Sequence, residues 1–232
     1  MTILAIDTSM AACSAAILPL GAAAPIQRFE AMARGHAERI FPMIEAVLAE
    51  AGCGWPALTR IAVTLGPGSF TGVRAGVAAA RGLALAAALP VIGAGSLEVM
   101  GRGCVRRLAA NERAGGFAVL QDARRDEVYM QSFTADGEAL TEPDVVDVAG
   151  ALAALPAQMT LIVGSGAPMI AALAESQGRS LRTRLTDLLP EAGDLALLAV
   201  HRAPSARPPA PLYLRAPDAK PQTDARLARA RS

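Results

Sequence analysis

Aromatic residues, histidines and paired cysteines are all scarce in this chain. Only 3% of its residues are aromatic although 53% are hydrophobic, so the core must be built from alanine, leucine, valine and isoleucine. The three cysteines, Cys13, Cys53 and Cys104, form no C-x-x-C pair, which argues against a disulfide framework or a zinc ribbon. Two histidines are too few for a Ser-His-Asp or Cys-His arrangement to be inferred. A net charge of +1 gives no sign of an extended nucleic-acid footprint.

A stretch without charged residues, from residue 8 to residue 27, is long enough to span a bilayer. It is interrupted by Pro19, Gly21 and Pro25, and most of its apolar residues are alanine. No basic segment precedes it, as a secretory signal would require. We therefore interpret it as two strands and a turn, and we expect a soluble, cytoplasmic protein that makes no membrane contact.

The most distinctive stretch is the glycine-rich motif from Gly66 to Arg74. It follows an apolar run typical of a buried strand and leads into an alanine-rich helix that reaches Leu89. Such a strand–loop–helix unit can bind an anion at the start of the helix, but no lysine follows the glycines as in a Walker A loop. Gly72, Gly76 and Ala80 repeat every four residues, which favours close packing against another helix. Anion binding is the alternative.

The segment from His36 to Ala51 has the period of an amphipathic helix. Its apolar stripe faces one way and its glutamates take the opposite side. Pro42 is predicted to kink or restart the helix. This helix and the alanine-rich one each carry more apolar residues than a single core-facing side requires. The excess indicates a surface that a partner covers.

The order of elements is antiparallel strands, helix, strand, helix, strand, helix, and then a similar set again. An acidic hairpin turn opens each set, at Asp7-Thr8-Ser9 and at Asp122–Glu127. This order predicts the α/β fold of actin and the sugar kinases, a duplicated ribonuclease-H-like (ASKHA) arrangement with two lobes of mixed sheet and flanking helices. We expect the first lobe over residues 1–110, the second over 111–215, and a disordered basic tail over 216–232.

Four motifs together resemble the TsaB family, also called YeaZ. They are I-L-A-I-D-T-S at the start, G-P-G-S-F-T-G-V-R in the middle, D-A-R-R-D-E-V-Y in the second half and P-L-Y-L-R at Pro211–Arg215. The resemblance covers nearly the whole chain except the tail. It implies a non-catalytic subunit that pairs with TsaD, and with the ATPase TsaE, to transfer a threonylcarbamoyl group to N6 of the adenosine beside the tRNA anticodon.

The resemblance also implies where a partner binds. In this family the two helices of the first lobe form the contact surface, and the protein alone forms a homodimer through the same surface, with tRNA bound only through the complex. The corresponding residues here, on segments 36–51 and 70–89, are His36, Ile40, Met43, Val47, Gly72, Gly76, Ala79, Ala80 and Leu83.

Nucleotide binding is a second interpretation of the acidic turn. Asp7, Thr8 and Ser9 stand where ATPases of this fold place a carboxylate for magnesium and hydroxyls for phosphate, and Ser165 lies in a glycine turn that could approach a nucleotide. The alternative function is thus an ATPase or phosphotransferase acting through Asp7 and Thr8. The plainer interpretation is a tight hairpin turn. We expect no required cofactor, and ATP or ADP at most at the partner interface.

A metal site is not expected. The TsaD-type enzyme carries an H-x-x-x-H pair on its first helix, whereas this chain has His36 followed by Ile40. We therefore predict no metal ligands, no catalytic residues and no zinc-peptidase activity. The charged hairpin residues Asp122, Arg124 and Glu127, with Tyr129, are either a solvated surface or part of a groove formed with the partner.

Overall fold

The structure, a computed structural model, describes residues 1–204 and 207–215. The basic tail predicted for residues 216–232 lies outside the described residues. None of the helices in the described part of the chain is both long enough and apolar enough to cross a membrane.

The first five strands form one mixed sheet in the order β3-β2-β1-β4-β5. β1–β2 and β2–β3 are antiparallel hairpin pairs, whereas β1–β4 and β4–β5 are parallel. The strands are β1 Ile3–Asp7, β2 Ala12–Leu18, β3 Ile26–Ala31, β4 Arg60–Thr64 and β5 Val91–Ala94. The helices that connect or follow them are α1 His36–Glu50, α2 Phe70–Ala87 and α3 Ser96–Arg107, and a 3-10 turn spans Trp55–Ala57.

The last five strands repeat this plan in the order β10-β9-β6-β7-β8. They are β6 Phe117–Asp122, β7 Glu127–Phe133, β8 Asp144–Asp147, β9 Leu161–Val163 and β10 Arg182–Arg184, with α4 Val148–Ala154, α5 Ala167–Ser176 and α6 Ala192–Val200. Each sheet has an antiparallel three-stranded part followed by two parallel strands, and each half has three helices at equivalent places in the chain. The predicted duplicated ribonuclease-H-like fold is confirmed.

The third helix of each half packs against the sheet of the other half. Leu97 and Met100 of α3 share a buried cluster with Phe117 and Phe133 of the second sheet. Apolar residues of α6 pack in turn on the inner face of the first sheet, among them Leu195. The segment predicted as the second lobe, 111–215, thus contributes a helix to the first core, while the lobe boundaries themselves stay a prediction.

Helices α1 and α2 cover the opposite face of the first sheet. Their apolar stripes form one cluster with side chains of β1, β2 and β4. The apolar excess noted in the sequence is therefore used within the chain, because two helices share one sheet face. The predicted restart at Pro42 does not occur: α1 runs through this residue, whose ring is exposed, while Met43 and Ile44 beside it are buried.

Candidate functional site

The turn between β1 and β2 is closed inside the protein. Asp7, Thr8 and Ser9 are each at most 1% exposed. The carboxylate oxygen Oδ1 of Asp7 accepts hydrogen bonds from Ser9 Oγ at 2.7 Å and from Thr64 Oγ1 at 2.5 Å. Ser96 Oγ donates to Ser9 Oγ at 2.9 Å, and Thr8 Oγ1 donates to the Gly72 carbonyl at 2.7 Å. The two hydroxyls named for possible phosphate binding, those of Thr8 and Ser9, thus take part in hydrogen bonds within the chain.

The glycine-rich motif is what closes this turn. A Cβ added at Gly68 would lie 2.0 Å from the Ser9 carbonyl oxygen, and one at Gly72 would lie 2.1 Å from the Thr8 carbonyl oxygen. A Cβ at Gly76 would meet Thr8 Oγ1 at 2.5 Å. Gly72 and Gly76 therefore pack on the turn, and the predicted packing of these two glycines against a second helix is wrong.

Two of the loop's N–H groups are also used within the chain. The Ser69 N–H donates to the Ser9 carbonyl at 2.8 Å, and the Gly72 N–H donates to Ser69 Oγ at 3.0 Å, which caps α2. These bonds hold the start of α2 against the turn. Anion binding by the motif stays a prediction, now with fewer donors to support it.

The buried position of Asp7 changes its acidity. Burial raises the pKa of its carboxyl from 3.8 to about 6, and the hydrogen bonds from Thr64 and Ser9 oppose that rise only in part. Its second carboxylate oxygen, Oδ2, has no hydrogen-bond partner among the described residues. A buried carboxyl group near its pKa costs stability when it ionises, which makes the turn sensitive to pH.

The turn between β6 and β7 is open to solvent. Arg124, Arg125 and Asp126 follow one another with φ of 65°, 59° and 57°, the left-handed region that non-glycine residues rarely occupy in succession. The Arg124 N–H donates to Asp122 Oδ1 at 2.7 Å, and the Arg124 side chain is 87% exposed. Glu127 forms an ion pair with Arg215.

A cleft of about 410 Å³ lies between the two halves. Its walls bring together Asp122, Arg124 and Tyr129 from the second half with His36 and Ser69 from the first half. The other lining residues are Met10, Ala11, Ala33, Gly68, Gln121 and Ala123. Of the predicted hairpin group, only Glu127 is not part of the cleft wall.

The four residues predicted for a nucleotide do not line this cleft. Asp7, Thr8 and Ser9 are buried behind the glycine-rich motif. Ser165 follows β9 and is exposed, and its Oγ accepts the N–H of Asp122, the last residue of β6, at 3.0 Å. No accessible surface in the described structure presents all four together. Nucleotide binding by them stays a prediction.

His36 and Ile40, the positions of the missing histidine pair, both face the core. His36 Nε2 lies 2.9 Å from the Met10 carbonyl oxygen, and Ile40 is 1% exposed. Within residues 1–204 and 207–215, no three His, Cys, Asp or Glu side chains are grouped so that they could hold a metal ion.

The residues predicted for the partner interface lie mostly on the inner faces of α1 and α2. All of them except the half-buried Leu83 are buried within the chain, namely His36, Ile40, Met43, Val47, Gly72, Gly76, Ala79 and Ala80. The physical reason is that the apolar stripe of an amphipathic helix packs on its own sheet. The accessible faces of the two helices carry other residues, including Phe41, Ala78 and Leu85.

The segment with the P-L-Y-L-R motif crosses the start of α2 and joins the two halves. The Leu212 N–H donates to the Leu65 carbonyl at the end of β4, at 2.6 Å. The Tyr213 ring stacks on Phe70 with centroids 5.5 Å apart, and Arg215 reaches Glu127 in the second half. In the sequence this motif stands out only as part of the family resemblance, which does not predict its contacts with Phe70 and Glu127.

Thr64 and Ser96 are the other residues that sequence reasoning missed. Thr64 ends β4 and Ser96 begins α3 just after β5, and both strands run parallel to β1. The ends of parallel neighbouring strands meet at one edge of a sheet, so the strand order alone would have placed both hydroxyls beside Asp7.

These observations define a protein of the duplicated ribonuclease-H-like class whose first acidic turn is sealed. The family model described as TsaD, tRNA N6-adenosine threonylcarbamoyltransferase, matches residues 30–194, more than half of the chain. A solved structure of YeaZ from Pseudomonas aeruginosa is 31% identical with a TM-score of 0.73, and the match covers 86% of this chain and 92% of that one. The chain belongs to the TsaB (YeaZ) family, within this wider group.

Two curated relatives carry the same family name. The tRNA threonylcarbamoyladenosine biosynthesis protein TsaB of Escherichia coli is 38% identical over 155 residues, which is 63% of this chain and 64% of that protein. TsaB of Haemophilus influenzae is 42% identical over 129 residues, which is 56% of this chain and 52% of that protein. The matched part thus spans less than two thirds of either relative.

Proposed function

We propose that this chain is a non-catalytic subunit in the synthesis of threonylcarbamoyladenosine in tRNA. It pairs with a TsaD-like protein, and with a TsaE-like ATPase, for transfer of the threonylcarbamoyl group to N6 of the adenosine beside the anticodon. Family membership and the names of the two curated relatives support this role. The chain acts in the cytoplasm, forms a homodimer when alone and meets tRNA as part of the complex.

The observation that carries the non-catalytic role is the sealed turn. An ATPase of this fold would need the Asp7 carboxylate and the neighbouring hydroxyls to face a bound phosphate. Here all three side chains of the turn are at most 1% exposed, and Gly68 and Gly72 approach their backbone too closely for even a methyl group to fit. The turn therefore anchors α2, and no cofactor is required there.

The partner surface is the outer face of α1 and α2. Phe41 is 45% exposed and Leu85 is 87% exposed, although both are large and apolar. On the same accessible faces, α1 carries Glu38, Glu45 and Arg39, the last paired with Glu30, whereas α2 carries Arg81 and contains no acidic residue. An apolar surface with opposite charges on its two helices favours a partner that presents a similar pair of helices, as a related chain would.

Leu85→Asp tests this assignment. The substitution places a charge on the outer face without disturbing the core, so we expect loss of co-elution with the TsaD-like protein and loss of threonylcarbamoyladenosine formation. Leu140→Asp is the matched control, because Leu140 is also exposed, at 56%, but lies in the second half. If Leu85→Asp still co-elutes and supports modification as Leu140→Asp does, the interface is elsewhere.

The alternative function, an ATPase acting through Asp7 and Thr8, has one observation in its favour. Oδ2 of Asp7 is buried with no hydrogen-bond partner among the described residues, as a carboxylate awaiting a ligand would be. ATP hydrolysis by the purified chain that disappears in Asp7→Ala would establish it. Under our proposal neither the wild-type chain nor Asp7→Ala hydrolyses ATP, while ATP or ADP can still bind at the surface shared with the partner.

A further inference from the structure

An exposed stack of aromatic and cationic side chains stands at the start of α2. The chain has only one tryptophan, two tyrosines and five phenylalanines, yet Phe70 is 58% exposed and Tyr213 is 50% exposed, and their rings stack on each other. The guanidinium carbon of Arg74 lies 4.9 Å from the centroid of the Phe70 ring. We call Phe70, Arg74 and Tyr213 the aromatic platform.

The platform is held rigidly by the backbone. Tyr213 follows Leu212, whose N–H is bonded to the Leu65 carbonyl, and Arg215 two residues further on is paired with Glu127. Phe70 is the first residue of α2, whose start is fixed on the sealed turn. A stacking surface that is already ordered loses little conformational entropy when it binds a ligand.

The helix that begins at the platform carries only positively charged side chains. α2 contains two arginines and no acidic residue, and the positive end of its macrodipole lies at Phe70. Ser69, next to Phe70, also lines the cleft whose opposite wall carries the exposed Arg124 and its ion-pair partner Asp122. Glu127 is paired with Arg215, two residues after Tyr213.

We propose that the aromatic platform binds single-stranded RNA, with an unpaired base stacked on the face of Tyr213 that does not contact Phe70 and a phosphate paired with Arg74. Exposed aromatic rings interleaved with arginine are the features by which proteins hold unpaired bases. Resting on the proposed function, the RNA is the anticodon loop of the tRNA that the complex modifies. The platform lies about 22 Å along α2 from Leu85, at 1.5 Å per residue, so the partner surface and the RNA surface need not overlap.

The experiment measures binding of a fluorescent anticodon stem-loop RNA to the chain alone and to its complex with the TsaD-like protein. A fully paired RNA duplex of the same length is measured beside it. Tyr213→Ala should weaken loop binding by about 5- to 150-fold while hardly changing duplex binding, because each stacked base is lost with its ring. Tyr213→Phe keeps the ring and should bind as the wild type does.

Two further variants separate the contributions. Arg74→Gln should weaken binding and lower the slope of log affinity against log salt by about one, because one phosphate contact is lost. Leu140→Ala removes an exposed apolar side chain away from the platform and should bind RNA as the wild type does. Denaturation curves of all variants establish that they fold.

Two outcomes would overturn the proposal. One is an affinity for loop RNA that is the same in Tyr213→Ala as in the wild type, or the absence of loop binding by both the wild-type chain and its complex. The other is a Tyr213→Ala variant that loses the TsaD-like partner but keeps its RNA affinity, since the stack would then be a protein contact. Failure of the wild type to co-elute with that partner would instead contradict the proposed function, whereas loop binding by the chain alone that is lost in Tyr213→Ala would still support the platform.

Discussion

The two acidic turns occupy equivalent places in the two halves, but the first is buried and the second is exposed to solvent. Gly66 with φ of 102° and Gly164 with φ of 95° each begin the loop that follows the first parallel strand, and each loop donates an N–H to the hairpin beside it. In the first half the start of α2 presses on the turn itself. In the second half the bond goes to Leu120 within β6, and residues 124–126 of the turn are exposed to solvent.

The difference shows that two halves with the same strand order can have turns with different environments and different roles. The first turn is buried and anchors the start of α2, and the hydroxyl groups of this turn all form hydrogen bonds. The other has kept an exposed, strained backbone beside an open cleft, which is where a binding surface can develop. A substitution should therefore have very different effects at the two turns.

The largest effect is expected from Gly72→Ala in the first half. The new methyl group would overlap the Thr8 carbonyl at 2.1 Å, so the substitution should lower the free energy of unfolding by about 3 kcal/mol. Gly82→Ala on the same helix is the control, because a Cβ there meets nothing within 4 Å and should stabilise the protein by up to about 1 kcal/mol. Urea denaturation measures both, and equal effects at the two glycines would refute the sealed turn.

A pH effect of intermediate size should come from Asp7. Its folded pKa, about 6, lies above the ordinary 3.8, so the folded state binds the extra proton and this group's contribution to stability is largest below pH 3.8. As pH rises from 3.8 to about 6 the wild type should lose about 2 kcal/mol relative to Asp7→Asn, which cannot ionise. Unfolding free energies of both proteins across this range test the sign, and a difference that does not change with pH would contradict the buried carboxyl.

The smallest effect is expected at the open turn. Arg124 holds φ of 65° and its side chain is almost fully exposed, so Arg124→Gly removes left-handed strain and only a weak surface ion pair. The free energy of unfolding should rise by at most about 1 kcal/mol, the gain being limited by the greater entropy of glycine in the unfolded chain. Thermal denaturation measures it, and a marked loss of stability would mean that the second turn is as tightly packed as the first.

Much of the fold followed from the sequence because its signals are local. Apolar runs, glycine turns and helical periods gave the order of elements, and the repeat of that order indicated the duplication. The sequence did not reveal whether the apolar faces of α1 and α2 are buried within the chain or against a partner. The same apolar stripe is required in both cases. Burial of Ile40 and Val47 in the chain's own core depends on which sheet face the helix covers.

The candidate site was predictable only in part for the same reason. Asp7 and Ser9 stood out as a polar group at the end of a strand. The hydroxyls of Thr64 and Ser96 that complete the network look ordinary in sequence, and Tyr213 meets Phe70 only through a contact between residues far apart in the chain. Such partners become visible only once the strand order is known.

Under the proposed function, the chain works by assembly with its partner and its Asp7 turn is structural. The most direct measurement is the rate of threonylcarbamoyladenosine formation by the reconstituted complex carrying Asp7→Asn, per mole of assembled complex. We predict a rate close to that of the wild type, because the carboxylate contacts no substrate. An assembled complex that has lost the activity would contradict this and would make Asp7 a catalytic residue.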